Sequence, residues 1–158
     1  MSHLEISLLG SFRVTLDGVA VTSFATDKVR ALLAFLVVEA NRPHRSDSLV
    51  SLLWPDHLPA AGGNNQRQTL YRLRQNLAGS GGQTPHLRIT AKEIHFDSDS
   101  DHWLDVTEFE ARLSASRVHH AGGRSLCSDC RTRLETAADL YQGDFLTGFA
   151  LPDCPRFE

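Results

Sequence analysis

Two stretches of this 158-residue chain carry side chains whose types and spacing could do chemistry. One is His119-His120 followed by Cys127-Ser128-Asp129-Cys130. Two thiolates at that spacing and one imidazole can hold three positions of a tetrahedral zinc, with His120 or Cys154 as the fourth. The competing reading is a pair of reduced cysteines at a helix start, with Cys130 as plain packing. A redox dithiol lacks its usual strand-to-helix context. The other stretch is 64–77, Asn-Asn-Gln-Arg-Gln-Thr-Leu-Tyr-Arg-Leu-Arg-Gln-Asn-Leu, in which amides, hydroxyls and three arginines occur without a single acid.

In that second stretch Gln66, Leu70, Leu73 and Leu77 recur at helical spacing and predict one inward-facing side. Asn64, Gln68, Tyr71, Arg72 and Gln75 fall opposite, and Arg67 and Arg74 lie on the flanks. Amides and arginines facing outward can read base edges in a nucleic-acid groove, while flanking arginines reach phosphates. Gly62-Gly63 is expected to be a turn before this helix, Asn64 or Asn65 its cap, and Gly79 with Gly81-Gly82 its end. An ordinary solvated amphipathic helix has the same pattern, so the neighbouring elements must decide.

Enzyme chemistry finds little support. Gly79-Ser80-Gly81-Gly82 is not followed by the lysine and hydroxyl of a phosphate loop, and no nucleophile triad or carboxylate pair has recognisable spacing. Hydrophobic residues make up 41% and charged residues 22%, as in ordinary globular proteins. No apolar run approaches the roughly eighteen residues of a membrane span. The amino terminus lacks the order of a signal peptide, and three cysteines do not make a secreted disulfide framework. Together these features predict a cytoplasmic protein with no membrane partner.

The net charge of −3 conceals an asymmetry. Residues 1–96 carry ten Lys/Arg against seven acids, and the remainder carries six against twelve. A phosphate-binding surface therefore belongs to the first part. Asp97-Ser98-Asp99-Ser100-Asp101 marks the change and reads as a linker or turn.

The elements that must position the basic helix follow in order. Ile6, Leu8, Phe12, Val14 and Leu16 alternate with polar neighbours, Gly10 permits a bend, and Asp17-Gly18 signals a hairpin. A helix from Asp27 to Ala40 presents Val29, Leu32, Leu33, Leu36 and Val37. A second, 48–53, is capped by Ser46 or Asp47 and turns Leu49, Leu52 and Leu53 inward. After the basic helix, 86–90 and 93–96 alternate across a turn at Ala91-Lys92. Strands, three helices and a terminal hairpin in this order predict an α+β winged helix-turn-helix with an N-terminal antiparallel sheet and a C-terminal wing hairpin.

The segments Leu-Leu-Gly-Ser-Phe-Arg-Val from Leu8, Arg-Pro-His-Arg from Arg42 through Leu-Leu-Trp-Pro at Pro55, and Leu-Arg-Gln-Asn-Leu ending at Leu77 agree in order and spacing with a known pattern. They resemble the amino-terminal domain of SARP-type bacterial transcriptional activators, an OmpR/PhoB-like winged helix, across about a hundred residues. The resemblance implies double-stranded DNA, in promoter repeats, as partner. Its third helix would enter the major groove, with Gln68, Tyr71 and Arg72 on base edges and Asn64 on a base or phosphate. Arg67 and Arg74 would hold phosphates; Arg88, Thr90 or Lys92 on the wing and Arg45 before the second helix would add contacts. Surface solvation is the competing reading for Arg45 and Arg88.

Beyond Leu104 the sequence predicts a helix capped by Asp105 or Thr107 with Phe109 and Leu113 inward, broken at Gly122-Gly123. A further helix spans 133–141 with Leu134, Ala137, Ala138 and Tyr141 as its seam. Leu140 to Leu146, with Gly148-Phe149, resembles the start of the bacterial transcriptional activator domain, a tetratricopeptide-like array. The expected division is 1–98 for the winged helix and 99–158 for the beginning of that helical domain, with further chain expected beyond. Activation, contact with RNA polymerase and contact between protomers on DNA are what the resemblance implies. The alternative is a winged-helix interaction module that has lost DNA affinity; an acid-free basic helix beside a basic wing argues against it.

Overall fold

The computed structural model describes residues 2–120 and 125–158. The expected helix break at Gly122-Gly123 lies outside the described residues.

Strands β1 (Leu4–Ser7), β2 (Arg13–Leu16) and β3 (Val19–Ala20) open the chain, and β7 (His102–Leu104) completes a sheet in the order β3-β2-β1-β7. The β2–β3 hairpin pairs Thr15 with Ala20 and Leu16 with Val19. Asp17 and Gly18 between them take φ of 51° and 77°, the left-handed pair that a tight twisted hairpin requires. Three helices follow: α1 (Asp27–Val38), α2 (Ser46–Leu53) and α3 (Pro59–Leu77). A second sheet, ordered β4-β6-β5, is made of β4 (His44–Arg45), β5 (Leu87–Ile89) and β6 (Glu93–Phe96). The wing thus has a third strand that two residues of sequence could not announce.

Contact within the chain divides it into two compact units. One comprises Met1–Glu5, Val14–His102 and Ala150–Glu158; the other comprises Ile6–Arg13 and Trp103–Phe149. The acidic run at 97–101 is a turn within the first unit: Ser100 N–H donates to Asp97 O at 3.0 Å, and Leu4 N–H donates to Asp101 O at 3.2 Å. The chain passes between units just after this turn, at His102–Trp103.

In the first unit, α1 buries Val29, Leu32, Leu33, Leu36 and Val37 as its periodicity requires, and Ala31 and Ala34 as well. It packs on α2, α3 and β6. Fully burying a leucine contributes roughly 1.5–3 kcal/mol, and Leu32, Leu33, Leu36, Leu53, Leu73 and Leu77 are all 0% exposed. Ala150–Glu158 is tied in through Lys28, whose Nζ donates to Asp153 Oδ2 at 2.8 Å, to Cys154 Sγ and to the Leu53 carbonyl.

The second unit is a helical pair, α4 (Asp105–His119) with α5 (Ser128–Leu140). The Leu8-Leu9-Gly10 motif belongs here: Leu146 N–H donates to Leu8 O at 2.7 Å and Gly10 N–H to Asp144 O at 3.1 Å. Gly10 sits at φ 111°, and a Cβ on it would come within 3.2 Å of Gln142 Cβ. Asp105 is 2% exposed. Its carboxylate accepts from Leu8, Leu9 and Val106 N–H at 2.8–2.9 Å. The seam is thinner than expected: Ser116, Cys130 and Ala137 are buried, Phe109, Leu113 and Leu134 half-buried, and Ala138 and Tyr141 exposed. α5 also begins five residues before the expected Arg133, because Cys127 occupies its N-cap and accepts the Cys130 N–H.

Candidate nucleic-acid interface and candidate metal centre

The basic helix starts earlier than its polar pattern indicates. Pro59 supplies the first turn, where a missing N–H costs nothing, and Ala60-Ala61 favour helix. Gly62 and Gly63 therefore lie inside α3 rather than in a turn before it, and Asn64 and Asn65 are helical residues, not caps. A Cβ at Gly62 would stand 2.6 Å from Val50 Cγ1, so this glycine permits the close approach of α2 and α3. Likewise α2 starts at Ser46 with Arg45 at its N-cap and no side-chain capping bond, in place of the expected Ser46 or Asp47 cap.

Ser46 joins the three elements of the interface. Its carbonyl accepts from Gln66 Nε2 at 3.0 Å, which docks α3 on α2. Its N–H donates to Lys92 O at 2.9 Å, which docks the wing turn. Gln66 is accordingly buried, the seam residue that hydrophobicity would not have chosen. Leu73 and Leu77 are buried as expected; Thr69 takes a buried place and Leu70 is half-buried.

The opposite side of α3 presents Asn64, Arg67, Gln68, Tyr71, Arg72, Arg74 and Gln75, all exposed. Tyr71 is 63% exposed, unusual for a large aromatic ring. Arg67 donates to Asn64 Oδ1 at 2.7 Å. Among the described residues none of the three arginines joins an ion pair.

Elsewhere the expected contacts are partly engaged. Arg88 grips Asp97 through Nε and an Nη, both 2.8 Å from Oδ2. Burial opposes ionisation of Asp97, but the Arg88 hydrogen bond and the Asp99 N–H outweigh it and hold the carboxyl below its usual range. Thr90 Oγ1 accepts from Glu93 N–H at 3.0 Å and Lys92 N–H at 3.3 Å, so it shapes the wing turn. Arg45 lies 3.6 Å from Asp47 on the surface. Lys92 is exposed at the tip.

In the second unit His119 Nδ1 stands 3.2 Å from Cys130 Sγ, 3.6 Å from Cys127 Sγ and 3.4 Å from His120 Nε2. All four ligand atoms lie within 4.8 Å of one another. Cys154 is not among them: its thiol faces the Leu53 carbonyl at 3.1 Å in the first unit. The Cys130 N–H holds the Cys127 thiol below its ordinary range, while burial pushes Cys130 up.

A sheet followed by three helices and a wing hairpin, with an acid-free helix third, defines the winged helix-turn-helix class. No family model matches the sequence. The chain is similar to the transcriptional regulatory protein EmbR of Mycobacterium tuberculosis and of Mycobacterium bovis, 33% identical over 122 residues. That match covers 77% of this chain and 31% of each relative, so the chain spans about a third of their length. A solved structure of Mycobacterium tuberculosis EmbR in complex with a low-affinity phosphopeptide superposes with a TM-score of 0.76 at 29% identity, covering 92% of this chain and 38% of that one. Both likenesses are to a transcriptional regulatory protein, and the resemblance to SARP-type regulators holds in sequence and in fold. No helix among the described residues is long and apolar enough to cross a membrane.

Proposed function

We propose that the chain is a sequence-specific, double-stranded-DNA-binding regulator of transcription that works without chemical catalysis. One observation carries this: the exposed side of α3 holds amides, a tyrosine and three arginines free of any carboxylate. Gln68, Tyr71 and Arg72 read base edges in the major groove, with Asn64 beside them; Arg67 and Arg74 hold the phosphates. Lys92 and Thr90 lay the wing tip against the neighbouring backbone or minor groove. Arg88 and Arg45 serve there only by exchanging a carboxylate for a phosphate, since each faces an aspartate. Residues within 1–98 carry this DNA-binding role, and the helical pair α4–α5 begins an activator domain that touches RNA polymerase or a neighbouring protomer on promoter repeats. The reading places the protein in the cytoplasm, where it activates transcription.

Selection of bound duplexes from a random pool, followed by a salt series on the winner and on unrelated DNA, tests it. Affinity should fall steeply with ionic strength on both and remain higher on the selected site. Absence of binding, or binding indifferent to salt, favours the interaction module instead.

A further inference from the structure

We infer that His119, His120, Cys127 and Cys130 form a structural zinc site that closes the α4–α5 hairpin. It stands independently of the DNA-binding reading, because every ligand belongs to the second unit.

Geometry carries the inference. Zinc bonds of about 2.3 Å to sulfur and 2.0–2.1 Å to nitrogen give a tetrahedron with edges of about 3.3–3.8 Å. The separations of 3.2, 3.4 and 3.6 Å around His119 Nδ1 fall at or beside that range. Four atoms able to ligate zinc, all within 4.8 Å of one another, are the donor set that a tetrahedral site requires.

The backbone explains how residues so close in sequence converge. Cys127 is the N-cap of α5 and Cys130 sits three residues on, so one helix start presents both sulfurs. His119 ends α4, and adjacent positions on a continuing helix would point about 100° apart. His120 instead leaves the helix as its C-cap, with φ −111° and ψ 19°, and the two rings stand edge to face at 4.9 Å. Burial grades across the cluster from exposed His119 to buried Cys130.

The seam between the helices supplies the physical need. It buries small or polar groups, Ser116, Cys130 and Ala137, with its larger apolar residues only half covered. A hairpin with so little apolar burial gains stability from a metal staple, since zinc affinity is folding free energy when the site exists only in the folded chain. Two sulfurs and two nitrogens complete the coordination shell and leave no position for a substrate, which makes the site structural rather than catalytic. Binding releases the two thiol protons as the thiolates form, so affinity falls with acidification.

The test uses the whole chain purified without an affinity tag. Metal analysis should find about one zinc per chain. Cobalt exchanged for it should give the intense visible absorption of a tetrahedral ion and a thiolate charge-transfer band. Cys130→Ser should lower zinc content at least tenfold, while Cys154→Ser retains it. In case Cys130→Ser does not fold, chelation of the wild type supplies a second readout: protease cleavage within α4 and α5 should accelerate at least tenfold and reverse on adding zinc. Zinc below about a tenth of an equivalent with all thiols reduced, cobalt bound without the charge-transfer band, or cleavage indifferent to chelation each overturns the site.

Discussion

Val50 Cγ1 lies 2.6 Å from where a Cβ on Gly62 would stand, so the two helices of the helix-turn-helix meet there with only the Val50 side chain between them. A β-branched valine cannot swing aside within its helix. Gly62→Ala should lower stability by about 1–3 kcal/mol, the usual cost of overpacking. Gly63→Ala, whose new methyl meets only the Arg67 guanidinium at 3.9 Å, should raise it by about 0.5–1 kcal/mol through reduced chain entropy. Denaturant unfolding of both variants checks the contrast.

Arg72→Ala should weaken binding to a selected DNA site by roughly 1–3 kcal/mol while changing affinity for random DNA far less. Arg67→Ala and Arg74→Ala should weaken both equally and flatten the logarithmic salt slope by about one unit each. Equal losses on both DNAs for Arg72→Ala would remove its base-reading role.

Asp97 holds the Arg88 guanidinium that the proposed interface would offer to a phosphate. Asp97→Asn should therefore strengthen binding to random duplex and steepen its salt dependence, whereas Arg88→Ala in the wild type should cost less than Lys92→Ala. Because Asp97 ionises below the usual carboxylate range, this hold should persist across neutral and mildly acidic pH. Titrations at pH 5.5 and 7.5 would reveal it.

Replacing Asp105 by alanine strands the N–H groups of Leu8, Leu9 and Val106. Each buried donor left unmet costs about 1–3 kcal/mol, so loss of the second unit's cooperative unfolding is expected, read as altered hydrogen exchange at Leu8 and Leu9.

His86 is 0% exposed, stacked on Phe96 and hydrogen-bonded to Ser100 Oγ at 3.0 Å. Burial foremost, then the charge of His102, holds its pKa below 6.5, with Asp101 opposing. The unfolded chain then binds the proton more readily, so His86 contributes stability that is fully present above about pH 6.5 and is lost as pH falls below it through the depressed folded value. Thermal midpoints measured between pH 7.5 and 5.5 should decline, and His86→Asn should flatten the decline.

The fold was legible wherever a period repeated. α1 and the wing hairpin follow their alternation, and the outward set of α3 is the set that faces solvent. The start of α3 was not, because Pro-Ala-Ala-Gly-Gly carries no polar pattern and glycine usually signals a turn; only the nearness of Val50 gives Gly62 its reason to be helical. β4 and β7 are too short for alternation to register. Gln66 was readable as a seam residue by spacing alone. That Asp97 would hold Arg88 depends on folding an acidic turn back to β5, which spacing does not encode. Nor does spacing reveal that Cys154 sits with Lys28 and Leu53 instead of joining the other thiols.

The order of segments bears on how such a chain can be rearranged. The first unit returns at Ala150–Glu158 after the second has been inserted, and the second borrows Ile6–Arg13 from within the first. No single cut separates them: ending the chain at residue 98 takes away Asp153 and Cys154, the groups that hold the Lys28 ammonium against Leu53. A gene fusion exchanging one DNA-reading module for another would have to carry the helical insert with it.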